Sequence, residues 1–153
     1  MLIEVMSRQQ AKQTKFKDNE MLISISNKNE TEPNIECKEI FLFNFDDEET
    51  PHPNAMQDYE ARHLVNIVKA KRNYVSKIFV HCGAGISRSA GVAAALGKWL
   101  NGDDSFVFDN PKYCPNRTCY RLVLNQALGG INEKELEEVF NHNEEIYRIK
   151  NNL

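Results

Sequence analysis

Lys77–Leu100 reads KIFVHCGAGISRSAGVAAALGKWL, and no other stretch limits the fold as tightly. The apolar run Ile78-Phe79-Val80 predicts a short buried strand, and the alanine-rich Ala90–Leu100 predicts a helix. Between them lies His81-Cys82-Gly83-Ala84-Gly85-Ile86-Ser87-Arg88-Ser89. A strand, a glycine-containing turn and a helix start bring backbone N–H groups to one point, where their partial positive charge favours an anion. Arg88 stands at the head of that helix, where its planar guanidinium can hold two phosphate oxygens at once. Cys82 stands at the other end of the loop, in a field that favours the thiolate. A thiolate facing a phosphorus atom held by arginine is arranged for phosphoryl transfer to sulfur. A tight βα turn around a buried Cys is the plainer reading of the same residues.

HCGAGISRS resembles the His-Cys-x5-Arg-Ser/Thr signature of the cysteine-dependent protein tyrosine phosphatases. Its AGISRS wording is most similar to the dual-specificity branch, in its small bacterial or viral form. The resemblance covers about residues 38–128 and is weak before residue 38. It implies that Cys82 is the nucleophile and that Arg88 binds phosphate together with the backbone of Gly83, Ala84, Gly85, Ile86 and Ser87. It also implies that the Ser89 hydroxyl lies beside the sulfur and stabilises the departing thiolate. His81 is then a structural support that holds the loop by hydrogen bonds. From the residues alone, His81 could instead be a general base for Cys82. No metal or cofactor is expected, because loop dipoles and Arg88 supply the charge.

Asn44-Phe45-Asp46-Asp47-Glu48-Glu49-Thr50-Pro51-His52-Pro53 leaves an apolar run with four consecutive acids and ends in two prolines. Most charge runs are solvated turns. Phosphoryl transfer to sulfur, however, needs a proton for the leaving oxygen, and a carboxylic acid on a neighbouring loop can supply it. In the family this resembles, an Asp does so from a loop upstream of the Cys, with Phe-x-Asp a recurring setting. Phe45-Asp46-Asp47 fits that setting and makes Asp47 the expected acid, with Asp46, Glu48 and Glu49 as alternatives.

The remaining pattern alternates strands and helices. Leu2–Met6, Met21–Ile25 and Ile40–Phe43 are predicted strands, the last buried on both sides by its unbroken apolar run. Ser7 is a candidate N-cap for a helix to about Phe16, and Asn27–Asn34 is an exposed loop. Ala55–Arg72 carries Ala61, Leu64, Val65 and Val68 at amphipathic helical spacing. Thr118 is a candidate cap for Cys119–Leu128, which Gly129 closes. Asn132 with Glu135 suggests a capping box for a last helix burying Leu136, Val139, Phe140, Ile146 and Tyr147. Trp99, Phe41, Phe43 and Phe45 belong to the core. The expected fold is α/β, with a central, mostly parallel sheet flanked by helices, protein tyrosine phosphatase-like and of dual-specificity size. Residues 1–153 are expected to form one catalytic domain.

A net charge of −3 suggests no general affinity for nucleic acid or acidic membrane. No apolar run approaches the ~18 residues of a membrane span. Cys37, Cys82, Cys114 and Cys119 lack framework or metal-ligand spacing, and a working thiolate needs a reducing compartment. The cytoplasm is therefore expected, or the host cytoplasm for a viral chain. The implied activity is hydrolysis of phosphotyrosine, and of phosphoserine or phosphothreonine, on a protein substrate. A loop without lysine looks less suited to phosphoinositides than the lysine-bearing loops of related enzymes. An RNA 5′-triphosphatase of the same fold, a silent phospho-binding module and a thiol enzyme of rhodanese or arsenate-reductase type are the alternatives.

Overall fold

Ser7 makes the first corner of the chain. Its hydroxyl accepts from the Gln10 backbone at 3.1 Å while the Gln10 side chain accepts from the Ser7 N–H at 2.8 Å. This reciprocal cap ends strand β1 (Leu2–Ser7) and starts helix α1 (Arg8–Gln13). The computed structural model describes residues 1–153. Strands β2 (Glu20–Ser26) and β3 (Glu39–Asn44) follow, then helix α2 (Asp58–Lys71) and strand β4 (Lys77–Cys82). Helices α3 (Arg88–Asn101), α4 (Ser105–Phe108), α5 (Arg117–Leu128) and α6 (Glu133–Asn151) complete the chain.

The sheet has the order β1-β4-β2-β3, and every pairing is parallel. Parallel neighbours need crossovers, which is why helices must lie against the faces of the sheet. Side chains alternate along a strand, so β4 sends Ile78, Val80 and Cys82 into the main core with residues of α2, α3, α5 and α6. Phe79 faces the other way, into a small cluster with Met6, Ala11 of α1 and Leu22. Cys82 thus enters the loop from the thick side of the molecule, at the carboxyl end of a central strand. Open α/β sheets bind ligands at that end.

Several sequence expectations are corrected. β3 is an edge strand, paired only with β2, and Leu42 is 42% exposed. Its unbroken apolar run mimics a central strand. The α1 helix stops at Gln13 rather than about Phe16, because Thr14 turns extended and Phe16 packs edge-on against Phe79. The α2 helix starts at Asp58, three residues after Ala55, with the Glu60 side chain accepting from the Gln57 N–H at 2.9 Å. Asn116, not Thr118, caps α5. Asn132 does cap α6, but Glu135 pairs with Lys98 instead of returning to the cap. Phe41, Trp99, Val139, Ile146 and Tyr147 are only partly buried. No helix is long and apolar enough to cross a membrane.

Candidate active site

Cys82 is 2% exposed, and its Sγ lies 3.0 Å from Ser89 Oγ at the start of α3. His81 points to the opposite face of β4. Its Nδ1 is 3.1 Å from the Cys82 carbonyl and its Nε2 is 2.6 Å from Ser24 Oγ. A carbonyl only accepts, so Nδ1 carries the hydrogen and Nε2 accepts from the Ser24 hydroxyl. Burial pushes the His81 pKa down, and the Arg8 and Arg88 charges add to this against the opposing pull of the Cys82 carbonyl. His81 is held by hydrogen bonds at both ring nitrogens. Both ring nitrogens are occupied away from Sγ, so the general-base alternative has no geometry here.

Gly83 and Ala84 form the exposed lip of the loop, while Gly85 is buried. Gly85 has φ +72°, and a Cβ there would stand 2.6 Å from the backbone of Met6 and Ser7. That close approach seats the loop on the end of β1, where Arg8 N–H donates to the Gly83 carbonyl at 3.0 Å. Ser87 is the N-cap of α3, yet its side chain makes no cap. Its hydroxyl donates to Asp47 Oδ1 at 2.7 Å instead. Arg88, the first residue of α3, is 8% exposed. Its Nη1 donates to Asn27 Oδ1 at 2.7 Å and to the Phe45 carbonyl at 2.8 Å.

Among the four acids after β3, Asp47 lies against the loop. Its Oδ1 also accepts from Asn116 Nδ2 at 2.8 Å. Asn116 Nδ2 reaches the Glu48 carbonyl at 3.1 Å as well, and Glu49 Oε2 accepts from Arg117 N–H at 3.1 Å. Burial raises the Glu49 carboxyl above its ordinary range, against the Arg117 N–H. Asp46 turns away: its Oδ1 accepts from Lys28 N–H at 2.9 Å. The segment after α4 backs the loop from behind, with Cys114 N–H donating to the Ile86 carbonyl and Asn116 N–H to the Ser87 carbonyl. All four cysteines are free thiols, and burial pushes the Cys119 thiol well up. No group of three His, Cys, Asp or Glu side chains is arranged to hold a metal.

The structure therefore brings Cys82, Ser89, Arg88, Ser87 and Asp47 around one loop and leaves Asp46 outside it. It also adds Asn27, Asn116 and Ser24, which the sequence reading did not single out. Asn116 had a signal, since Pro-Asn before an amphipathic segment is an N-cap pattern. Asn27 had none, being 61 residues from Arg88. The fold is α/β, a four-stranded parallel sheet flanked by helices. No family model matches the chain, and no curated protein does. Among solved structures it is similar to Tk-PTP in the active form, at 16% identity and TM-score 0.41, over 94% of this chain and 90% of that one. It is similar to human DUSP28 at 12% identity and TM-score 0.48, over 97% and 94% of the two chains. The G95A mutant form of Tk-PTP gives 18% identity and TM-score 0.39, over 85% and 79%. These are likenesses of fold, at low identity.

Proposed function

We propose that the protein is a phosphoric monoester hydrolase that removes phosphate from phosphotyrosine, and from phosphoserine or phosphothreonine, on protein substrates. The observation that carries this reading is the Asp47 carboxylate, hydrogen-bonded at 2.7 Å to Ser87 of the same loop that begins at Cys82 and ends at Arg88. A nucleophile, an anion cradle and an acid then meet at one loop. The substrate phosphate docks on the N–H groups of Gly83–Arg88 and on the Arg88 guanidinium. The Cys82 thiolate attacks phosphorus, the bond from phosphorus to the leaving oxygen breaks, and that oxygen takes a proton from Asp47. Because Oδ1 already accepts two hydrogen bonds, Oδ2 is the oxygen that carries the proton. The Asp47 carboxylate next takes a proton from water, whose oxygen attacks the phosphocysteine. The S–P bond breaks, Ser89 donates to the returning thiolate, and inorganic phosphate leaves.

Hydrolysis of para-nitrophenyl phosphate in chelator, across pH, tests the scheme for the wild type, Cys82→Ser and Asp47→Asn. Turnover is expected in wild type and is lost in Cys82→Ser with vanadate still bound. An undiminished rate in Cys82→Ser rules the mechanism out. No turnover by wild type, with vanadate bound, would favour a phospho-binding module or an RNA 5′-triphosphate substrate.

A further inference from the structure

Arg88 carries five N–H donors, and the structure divides them. The two hydrogens of Nη1 have two acceptors, Asn27 Oδ1 at 2.7 Å and the Phe45 carbonyl at 2.8 Å. Nη2 of the same guanidinium lies beside the loop: a Cβ on Gly83 would stand 3.7 Å from it. A planar fork with one side anchored presents its remaining pair of parallel donors in a fixed direction, the geometry that a phosphate accepts bidentately. Both anchors are neutral. A carboxylate in the place of Asn27 would orient the guanidinium equally well, but its charge would oppose that of an incoming phosphate.

We propose that Asn27 is a positioning residue that aims Arg88 at the phosphate without neutralising it. The inference rests on the phosphate-binding reading of the loop. Asn27 is itself held on three sides. Its N–H donates to Glu30 Oε1 at 2.9 Å, and its carbonyl accepts from Asn44 Nδ2 at 3.0 Å and from Glu30 N–H at 3.1 Å. Glu30 pairs with Arg8 at 2.7 Å, and Arg8 also donates to the Thr31 carbonyl at 3.1 Å. Since the Arg8 N–H holds the Gly83 carbonyl, one surface turn, residues 27–31, is tied to both ends of the phosphate loop. Lys28 N–H adds the Asp46 carboxylate, so the acid loop is fastened to the same turn.

The test compares Asn27→Ala with Asn27→Asp by orthovanadate binding and by melting temperature. Asn27→Ala loses a hydrogen bond to a charged group and is expected to weaken vanadate binding about tenfold. Asn27→Asp keeps an acceptor but adds a charge, so vanadate binding falls further, by about another tenfold. A merely structural Asn27 would make both losses follow the melting temperature. Asn27→Asp binding vanadate as tightly as wild type or as Asn27→Ala overturns the proposal. Neither readout needs turnover. An inactive wild type that still shows this pattern defeats the hydrolase reading and supports Asn27, while an active enzyme indifferent to both changes does the reverse.

Discussion

Asn116 Nδ2 donates to Asp47 Oδ1 over 2.8 Å while Asn116 Oδ1 accepts from the Cys119 N–H over 2.9 Å. One side chain both starts α5 and holds the carboxylate that faces the loop. The two tasks use different atoms of the amide, so they can be separated. Asn116→Asp keeps an oxygen for the cap and loses the donor to Asp47, whereas Asn116→Ala loses both. Urea unfolding should find Asn116→Ala less stable by ~1 kcal/mol and Asn116→Asp close to wild type on that count. Turnover of para-nitrophenyl phosphate should fall about tenfold or more in both, a part of what a general acid supplies. Wild-type turnover in Asn116→Asp would mean that the amide does not hold the acid.

Asp46 and Asp47 are neighbours in the chain and face different partners. Asp47→Asn should lower kcat about 100-fold and flatten the basic limb of the pH–rate profile, because no proton is left to give. Asp46→Asn should keep that limb and cost at most ~1 kcal/mol of stability, since it loosens only the contact with Lys28. The reverse pattern in the two profiles would transfer the acid to Asp46.

That pair also marks how far the sequence could be read. The strand–loop–helix from β4 to α3 was legible because its strand, glycines, Arg88 and helix are contiguous, and local chemistry constrains them together. The amphipathic α2, with Ala61, Leu64, Val65 and Val68 buried, was legible for the same reason. What stayed hidden depends on contacts between distant segments. The run Ile40–Phe43 has the composition of a central strand, and only the strand order puts it at an edge. Asn27 and Asn116 look like turn residues in sequence. Their hydrogen bonds to Arg88 and Asp47 span 61 and 69 positions, beyond any periodicity.

Gly85 and Gly102 both sit at positive φ, at +72° and +67°, but in different surroundings. Around Gly102 nothing lies within 4 Å of a built Cβ, so Gly102→Ala meets only the left-handed backbone cost of ~1–2 kcal/mol. At Gly85 the Cβ would also meet Met6 and Ser7 backbone at 2.6 Å, and β1 cannot yield as a flexible side chain would. Gly85→Ala should therefore cost more, by about a further 1–3 kcal/mol, in urea unfolding. It should also weaken vanadate binding, because the loop would have to lift from β1. Equal stability losses in the two variants would show that the close approach at Gly85 carries no energetic weight.

His81 predicts a pH dependence whose sign follows from its burial. Its folded pKa is pushed below the ordinary value, chiefly by desolvation, while the unfolded chain titrates near ~6.5. Below about pH 6.5 the unfolded state therefore binds more protons than the folded state, so acid favours unfolding. The stability due to neutral His81 is complete above the unfolded pKa and declines as the pH falls toward the lowered folded one. Protonation would also force Nε2 to donate toward Ser24, reversing the bond that the Ser24 hydroxyl makes at 2.6 Å. His81→Asn removes the titration while also removing the strut, so the informative quantity is the gap in unfolding free energy between wild type and variant. Measured by urea at pH 7.5, 6.5, 5.5 and 5.0, that gap should narrow as the pH falls, the carboxylates common to both proteins cancelling. A gap that stays constant or widens toward pH 5 would mean that His81 is not held neutral. The strand end behind Cys82 would then rest on a charged imidazole.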